Sequence, residues 1–322
     1  MSSSIRTSAA LVAVALWSTN AWVAGVALGA MSVGWLLLVQ YVVAAAALFT
    51  VRMARRGGSA LLGGGFGTSA VAVGVVGLTG TIFLQYLAFV TAPIVAANVL
   101  AYAWPLLAAL WVALTFRTRR AVVLAGLALV GFGGVALIFA SPGAATDGAA
   151  AGDAGWGYAA ALGSAACMAI YTVASSRMQV AATDLLVPAT LIGVLAAGVL
   201  TAFTPGPWPQ ASGWIAAAYI GLGPMAGGYG LWTLALAGGG AERLAPIGYA
   251  TPLLSTLLLL ATGAPATATT LAGIGLVLLC SVGVLVAQRS PFETRAANAA
   301  KGIDHAGSQY GAQGAQRGRL LP

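Results

Sequence analysis

Ten runs of roughly twenty apolar residues follow one another between residues 8 and 288, and that succession removes most folds from consideration before any motif is read. The runs lie near 8–28, 33–52, 67–90, 93–115, 121–141, 156–178, 184–204, 212–237, 242–262 and 270–288. A run of this length crosses a bilayer as a helix, which makes all of its backbone hydrogen bonds within itself. Of the 322 residues, 60% are apolar and 6% charged, a balance foreign to a water-soluble domain of this size. The expected fold class is an all-α integral membrane protein with ten transmembrane helices.

The basic residues support that count. Arg6 precedes span one; Arg52, Arg55 and Arg56 follow span two; Arg117, Arg119 and Arg120 follow span four; Arg177 ends span six. Arg243 lies between spans eight and nine, and Arg289, Arg295, Lys301, Arg317 and Arg319 follow span ten. With ten spans all 14 fall on one side, as the positive-inside rule requires, and both termini are expected in the cytoplasm. The net charge of +8 is therefore a topology signal, and no nucleic-acid footprint of clustered basic and aromatic residues accompanies it. The first run is too long for a cleavable signal and lacks a small-residue cleavage site.

An internal repeat is the next level of organisation. Tyr102-Ala103-Trp104-Pro105 and Tyr249-Ala250-Thr251-Pro252 share the Tyr-x-x-Pro spacing 147 positions apart, and the same offset lays Ala125–Val130 over Ala272–Val277. Five spans per half is odd, so the second half enters the membrane from the opposite face. The expected organisation is a five-helix repeat over 1–141, a periplasmic linker over 142–155, a second repeat over 156–288 and a disordered cytoplasmic tail over 289–322. Such inverted repeats place a substrate site near mid-membrane, where the halves meet.

Candidate site residues are polar or aromatic groups at that depth. Trp17 and Asn20 share a face of span one and either line a cavity or act as interhelical glue. In span four Asn98, Tyr102 and Pro105 share a face at ideal helical spacing, which turns Trp104 elsewhere. Tyr249 is the counterpart of Tyr102, and the two rings either face a ligand or pack with their hydroxyls on backbone carbonyls. Span eight brings Tyr229 and Trp232 one turn apart, beside Pro224 and the Gly227-Gly228 pair, read as close packing or a hinge. Gln85 and Tyr86 in span three and Tyr171 in span six complete the cavity set. Pro105, Pro224 and Pro252 are helix kinks whose freed carbonyls need partners from neighbouring helices or water. Trp35, Trp156, Trp208 and Trp214 sit at span ends, as interfacial anchors do.

What the chain lacks narrows the function. No Asp, Glu, Lys, Arg or His falls deep in a span, so a proton relay has no carrier, and facilitated transport is the default expectation. The one histidine, His305, lies in the tail; no metal-ligand cluster, phosphate loop or nucleophile-base pair is present, so no cofactor, metal or enzymatic activity is expected. Cys167 and Cys280 lie within apolar segments, where cysteine packs as a small hydrophobe. The expected partners are small-molecule substrates and the bilayer; oligomeric state is left open.

With Leu16-Trp17-Ser18-Thr19, Tyr102-Ala103-Trp104-Pro105, Ile170-Tyr171-Thr172-Val173 and Tyr249-Ala250-Thr251-Pro252-Leu253-Leu254-Ser255 in place, the chain resembles the drug/metabolite transporter superfamily, EamA-like, over residues 8–288. More narrowly it is similar to that superfamily's bacterial aromatic amino acid exporters. The resemblance implies an inner-membrane exporter of aromatic and other neutral amino acids, with Trp17, Trp104, Tyr102 and Tyr249 on the path; a multidrug or other small-metabolite exporter of the same fold is the alternative. Many superfamily members carry Gly-Glu after spans four and nine. This chain has Phe116-Arg117-Thr118 and Thr262-Gly263-Ala264 there, so roles attached to that Glu do not carry over.

Overall fold

The computed structural model describes residues 3–56, 66–107, 153–204, 206–237, 247–248, 250–264 and 266–289, with isolated positions between 111 and 137. Tyr249, the linker expected over 142–155 as far as residue 152, and the tail beyond Arg289 lie outside the described residues. The described chain is helical: α1 (Ser3–Leu28), α2 (Val33–Arg56), α3 (Thr68–Thr91), α4 (Ile94–Ala101), α5 (Asp153–Arg177), α6 (Ala182–Phe203), α7 (Ala211–Ile220, continuing through Gly221–Gly228 to Tyr229–Leu236), α8 (Ala250–Ala261) and α9 (Ala268–Arg289). Among the described residues five helices are long and apolar enough to cross a bilayer, namely α1, α2, α3, α5 and α6. The protein is an all-α membrane protein.

Large side chains such as Leu195 and Val199 of α6 and Ile215 and Leu222 of α7 are exposed, as a lipid-facing surface requires. Small residues fill the helix contacts. α2 packs along α6, α1 against α7 and α8, α3 against α5 and α6, α4 against α5 and α8, and α7 against α2. At one end Trp35, Trp208 and Trp214 pack ring against ring, with centroids 5.3–5.9 Å apart.

Two helices are locally unwound in matching places. α3 contains a π-helical segment at Val75–Gly80 and α7 one at Gly221–Gly228; their starts lie 146 positions apart and their ends 148. Each is glycine-rich and opens where a backbone from another helix comes close. A Cβ on Gly74 would strike the Leu185 carbonyl of α6, and one on Gly221 the Gln40 carbonyl of α2. π winding disturbs the regular ladder, and side chains from elsewhere reach its carbonyls. Tyr41 Oη donates to Thr79 O (3.4 Å), Tyr229 Oη to Gly77 O (3.5 Å) and Trp17 Nε1 to Pro224 O (2.9 Å).

α4 breaks where its proline dictates. Pro105 has no N–H for the Ala101 carbonyl and its ring crowds that oxygen, so the helix stops at Ala101, Tyr102 takes φ −88° and ψ 7°, and winding resumes at Trp104. Where α2 ends, Arg52 is buried and pairs with Asp184 of the first turn of α6, its guanidinium 4.6 Å from the Phe66 ring centre.

Candidate functional site

A cavity lies where α1, α3, α4, α5 and α7 converge, bounded by Trp17, Asn20, Thr81, Ile82, Gln85, Ala101, Tyr102, Trp104, Met168, Ile220, Pro224, Met225 and Tyr229. The volume open to the centre of a water-sized sphere is about 20 Å³, room for a water or two and too little for an amino acid. None of these wall residues carries a formal charge.

Part of the wall is polar. Asn20 Nδ2 donates to Gln85 Oε1 (3.3 Å), and Asn20 Oδ1 accepts from Tyr86 Oη (3.1 Å). Tyr102 Oη donates to Trp17 O (2.8 Å), tying the break in α4 to the middle of α1. A buried amide in hydrocarbon needs such partners, and here one amide orients the next.

A ladder of rings runs through and behind the wall. Trp104 packs edge-on to Trp232 (5.5 Å between centroids), Trp232 against Trp17 (5.4 Å), Trp17 edge-on to Tyr229 (5.4 Å) and Tyr229 against Tyr171 (5.7 Å). The ladder runs through α4, α7, α1, α7 and α5. Its polar tips are committed: Trp232 Nε1 donates to Thr172 Oγ1 (3.4 Å), and the Tyr171 and Thr233 hydroxyls bond each other. Glycine makes the rings fit, since a Cβ on Gly77 would collide with Tyr171, on Gly228 with Trp17 and on Gly248 with Trp104.

Of the residues expected at the site, Trp17, Asn20, Gln85, Tyr102, Trp104, Pro224 and Tyr229 reach the cavity wall. Tyr86, Tyr171 and Trp232 stand in the layer behind it, and Asn98 bonds Ser255 of α8 (3.2 Å) instead. Pro105 and Pro252 are off the wall; Tyr249 lies outside the described residues. One detail is corrected: ideal spacing turns Trp104 away from Tyr102, but the helix break brings both rings to the cavity. The sequence reading missed Thr81, Ile82, Ala101, Met168, Ile220 and Met225. Thr81 had a signal, a hydroxyl residue directly after the Gly74, Gly77 and Gly80 series.

Comparison with known proteins places this architecture. Residues 155–286 match the model of the EamA-like transporter family. The chain is 32% identical over 299 residues to the aromatic amino acid exporter YddG of Ancylobacter novellus, an alignment covering 90% of this chain and 100% of that one. A solved crystal structure 26% identical in sequence superposes with a TM-score of 0.65, covering 88% of this chain and 98% of that one. A transporter, not an enzyme, and a multi-pass membrane protein, the chain belongs to the EamA-like transporter family of the drug/metabolite transporter superfamily.

Proposed function

We propose that the protein is an inner-membrane exporter of amino acids, aromatic and other neutral ones favoured, that works by alternating access around the central cavity. The observation that carries this is the wall itself: uncharged amides and hydroxyls together with aromatic rings and thioethers, and no charge. A zwitterion of zero net charge needs hydrogen-bond partners at both charged ends and no counter-ion. An apolar side chain needs the ring ladder. The relative at 32% identity, an aromatic amino acid exporter by name, points the same way.

The architecture behind it is ten helices in two inverted halves of five, with both termini cytoplasmic. Three observations support this. The two π segments stand in the register of the 147-position repeat. The helix contacts come in matched pairs: α1 on α7 and α5 on α3, α1 on α8 and α5 on α4, α2 on α7 and α6 on α3. Lastly, α2 with α6 and α4 with α8, each pair its own counterpart, also touch. Rocking of one half against the other would widen the cavity toward either side.

The test is uptake of labelled amino acids and lipophilic cations into liposomes carrying the purified protein, with and without a pH gradient. Phenylalanine should enter without a gradient, and Tyr102→Ala and Trp104→Ala should abolish entry while the protein still inserts and elutes as a folded species. Entry of lipophilic cations with none of phenylalanine would favour the multidrug reading; a wholly impermeable liposome would reject transport of the panel.

A further inference from the structure

Hydroxyl side chains in membrane helices ordinarily bond the carbonyl three or four residues back. Ser18, Thr19, Thr91, Thr190, Thr201 and Thr233 all do so here, with oxygens 2.7–2.9 Å apart. Thr81 does not. Its side chain is buried, it stands on the cavity wall, and its Oγ1 has no hydrogen-bond partner among the described residues. The carbonyl it would use, Gly77 O, lies inside the π segment of α3 and accepts from Tyr229 Oη. Thr81 is the first residue after that segment, and Tyr229 the first after the π segment of α7. The two unwound stretches thus deliver one group each to the same cavity, and the second bonds the carbonyl four residues before the first.

Several groups around it are already engaged. Tyr229 and Tyr102 give their protons to Gly77 O and Trp17 O, so their phenol oxygens have only lone pairs left to offer. Asn20 uses Oδ1 on Tyr86 and Nδ2 on Gln85, and Trp17 gives its N–H to Pro224 O. Thr81 thus meets a zwitterion entering the cavity with its hydroxyl beside the Tyr229 phenol and without a bond to its own helix.

We infer that Thr81 is a specificity-determining residue whose hydroxyl donates to the carboxylate of the transported amino acid. The inference rests on the amino acid reading above and adds which end of the substrate is held and by what. Thr81→Val keeps the shape and removes the donor; Thr81→Ser keeps the donor. In liposomes, Thr81→Val should raise the KM for phenylalanine about tenfold or more, the scale of a lost hydrogen bond to a charged group, while Thr81→Ser stays near the unsubstituted value. Phenethylamine, which lacks the carboxylate, should compete equally against the unsubstituted protein and Thr81→Val. An unchanged KM in Thr81→Val, or an equal weakening of phenethylamine, overturns the role of Thr81 and leaves the amino acid reading standing. Absence of any phenylalanine movement by the unsubstituted protein overturns both.

Discussion

Trp17 and Pro224, 207 positions apart, are joined by one hydrogen bond from the indole Nε1 to the proline carbonyl at 2.9 Å, and both residues face the cavity. The bond links the middle of α1 to the unwound part of α7. It makes one side chain serve as cavity wall, as a rung of the ring ladder and as partner of an irregular backbone. A carbonyl in hydrocarbon left without that donor carries a desolvation cost the regular ladder would have avoided.

Trp17→Phe separates these roles. It keeps a ring against Tyr229 and Trp232 and deletes the N–H. We expect a stability loss of about 1 kcal/mol, the usual net scale of a single hydrogen bond, read as a lower midpoint of thermal unfolding in detergent. Trp17→Ala should lose more, because the ring contacts with Tyr229 and Trp232 go too. Equal midpoints for Trp17→Phe and the unsubstituted protein would show that the carbonyl is satisfied without the indole.

The matched glycines give a second expectation. Gly74→Ala and Gly221→Ala each place a methyl against a carbonyl of the facing helix, Leu185 O and Gln40 O, and backbone cannot swing aside as a flexible side chain can. Both should cost about 1–3 kcal/mol by overpacking and lower the yield of folded protein in parallel. Gly230→Ala, with nothing within 4 Å of the new methyl, should be neutral or slightly stabilising. Tolerance of Gly74→Ala alongside damage from Gly221→Ala would show that the two contacts are not equivalent.

The limits of the sequence are visible in the same residues. Apolar run length anticipated the described helices, because a helix that faces lipid leaves a composition-level trace. Gly74, Gly77 and Gly80 were visible as letters, but π winding depends on which backbone lies opposite, and Leu185 is 111 positions from Gly74. Trp104 was turned the wrong way by assuming an unbroken helix, although Pro105 carried the cue for the break. Thr81 was legible as a hydroxyl after a glycine series, but its setting was not. That Tyr229, from another helix, bonds the carbonyl four residues before Thr81 cannot be read from the letters around it.

The ion pair at the end of α2 should respond asymmetrically to substitution. The Arg52 side chain is 3% exposed and that of Asp184 is 18%, so an unpaired Arg52 is stranded in a poorer solvent than an unpaired Asp184. Asp184 also sits in the first turn of α6, where the helix dipole favours an anion. Asp184→Asn should therefore destabilise by about 3 kcal/mol, the scale of a broken buried pair, and Arg52→Met by less. The double substitution should recover much of the loss, since no charge remains without a partner. Thermal midpoints of the three proteins decide the order; Arg52→Met as the worst of them would contradict it.

The contact between α4 and α8 gives the last expectation. Asn98 and Ser255 bond across it at 3.2 Å, and on the same two helices Asn98 Nδ2 and Thr251 Oγ1 are buried without a partner among the described residues. Groups so placed gain hydrogen bonds when water enters, which favours a state in which the seam has parted. The rocking proposed above requires such parting, because the cavity is too small for an amino acid. With Cys167 and Cys280 replaced by Ala, Asn98→Cys and Ser255→Cys joined by a short, reducible bifunctional thiol reagent should stop phenylalanine uptake into liposomes. Reduction should restore it, and the single-cysteine proteins should be insensitive to the reagent. Undiminished uptake by a fully cross-linked protein would mean that the seam stays shut throughout the cycle and that the substrate passes elsewhere.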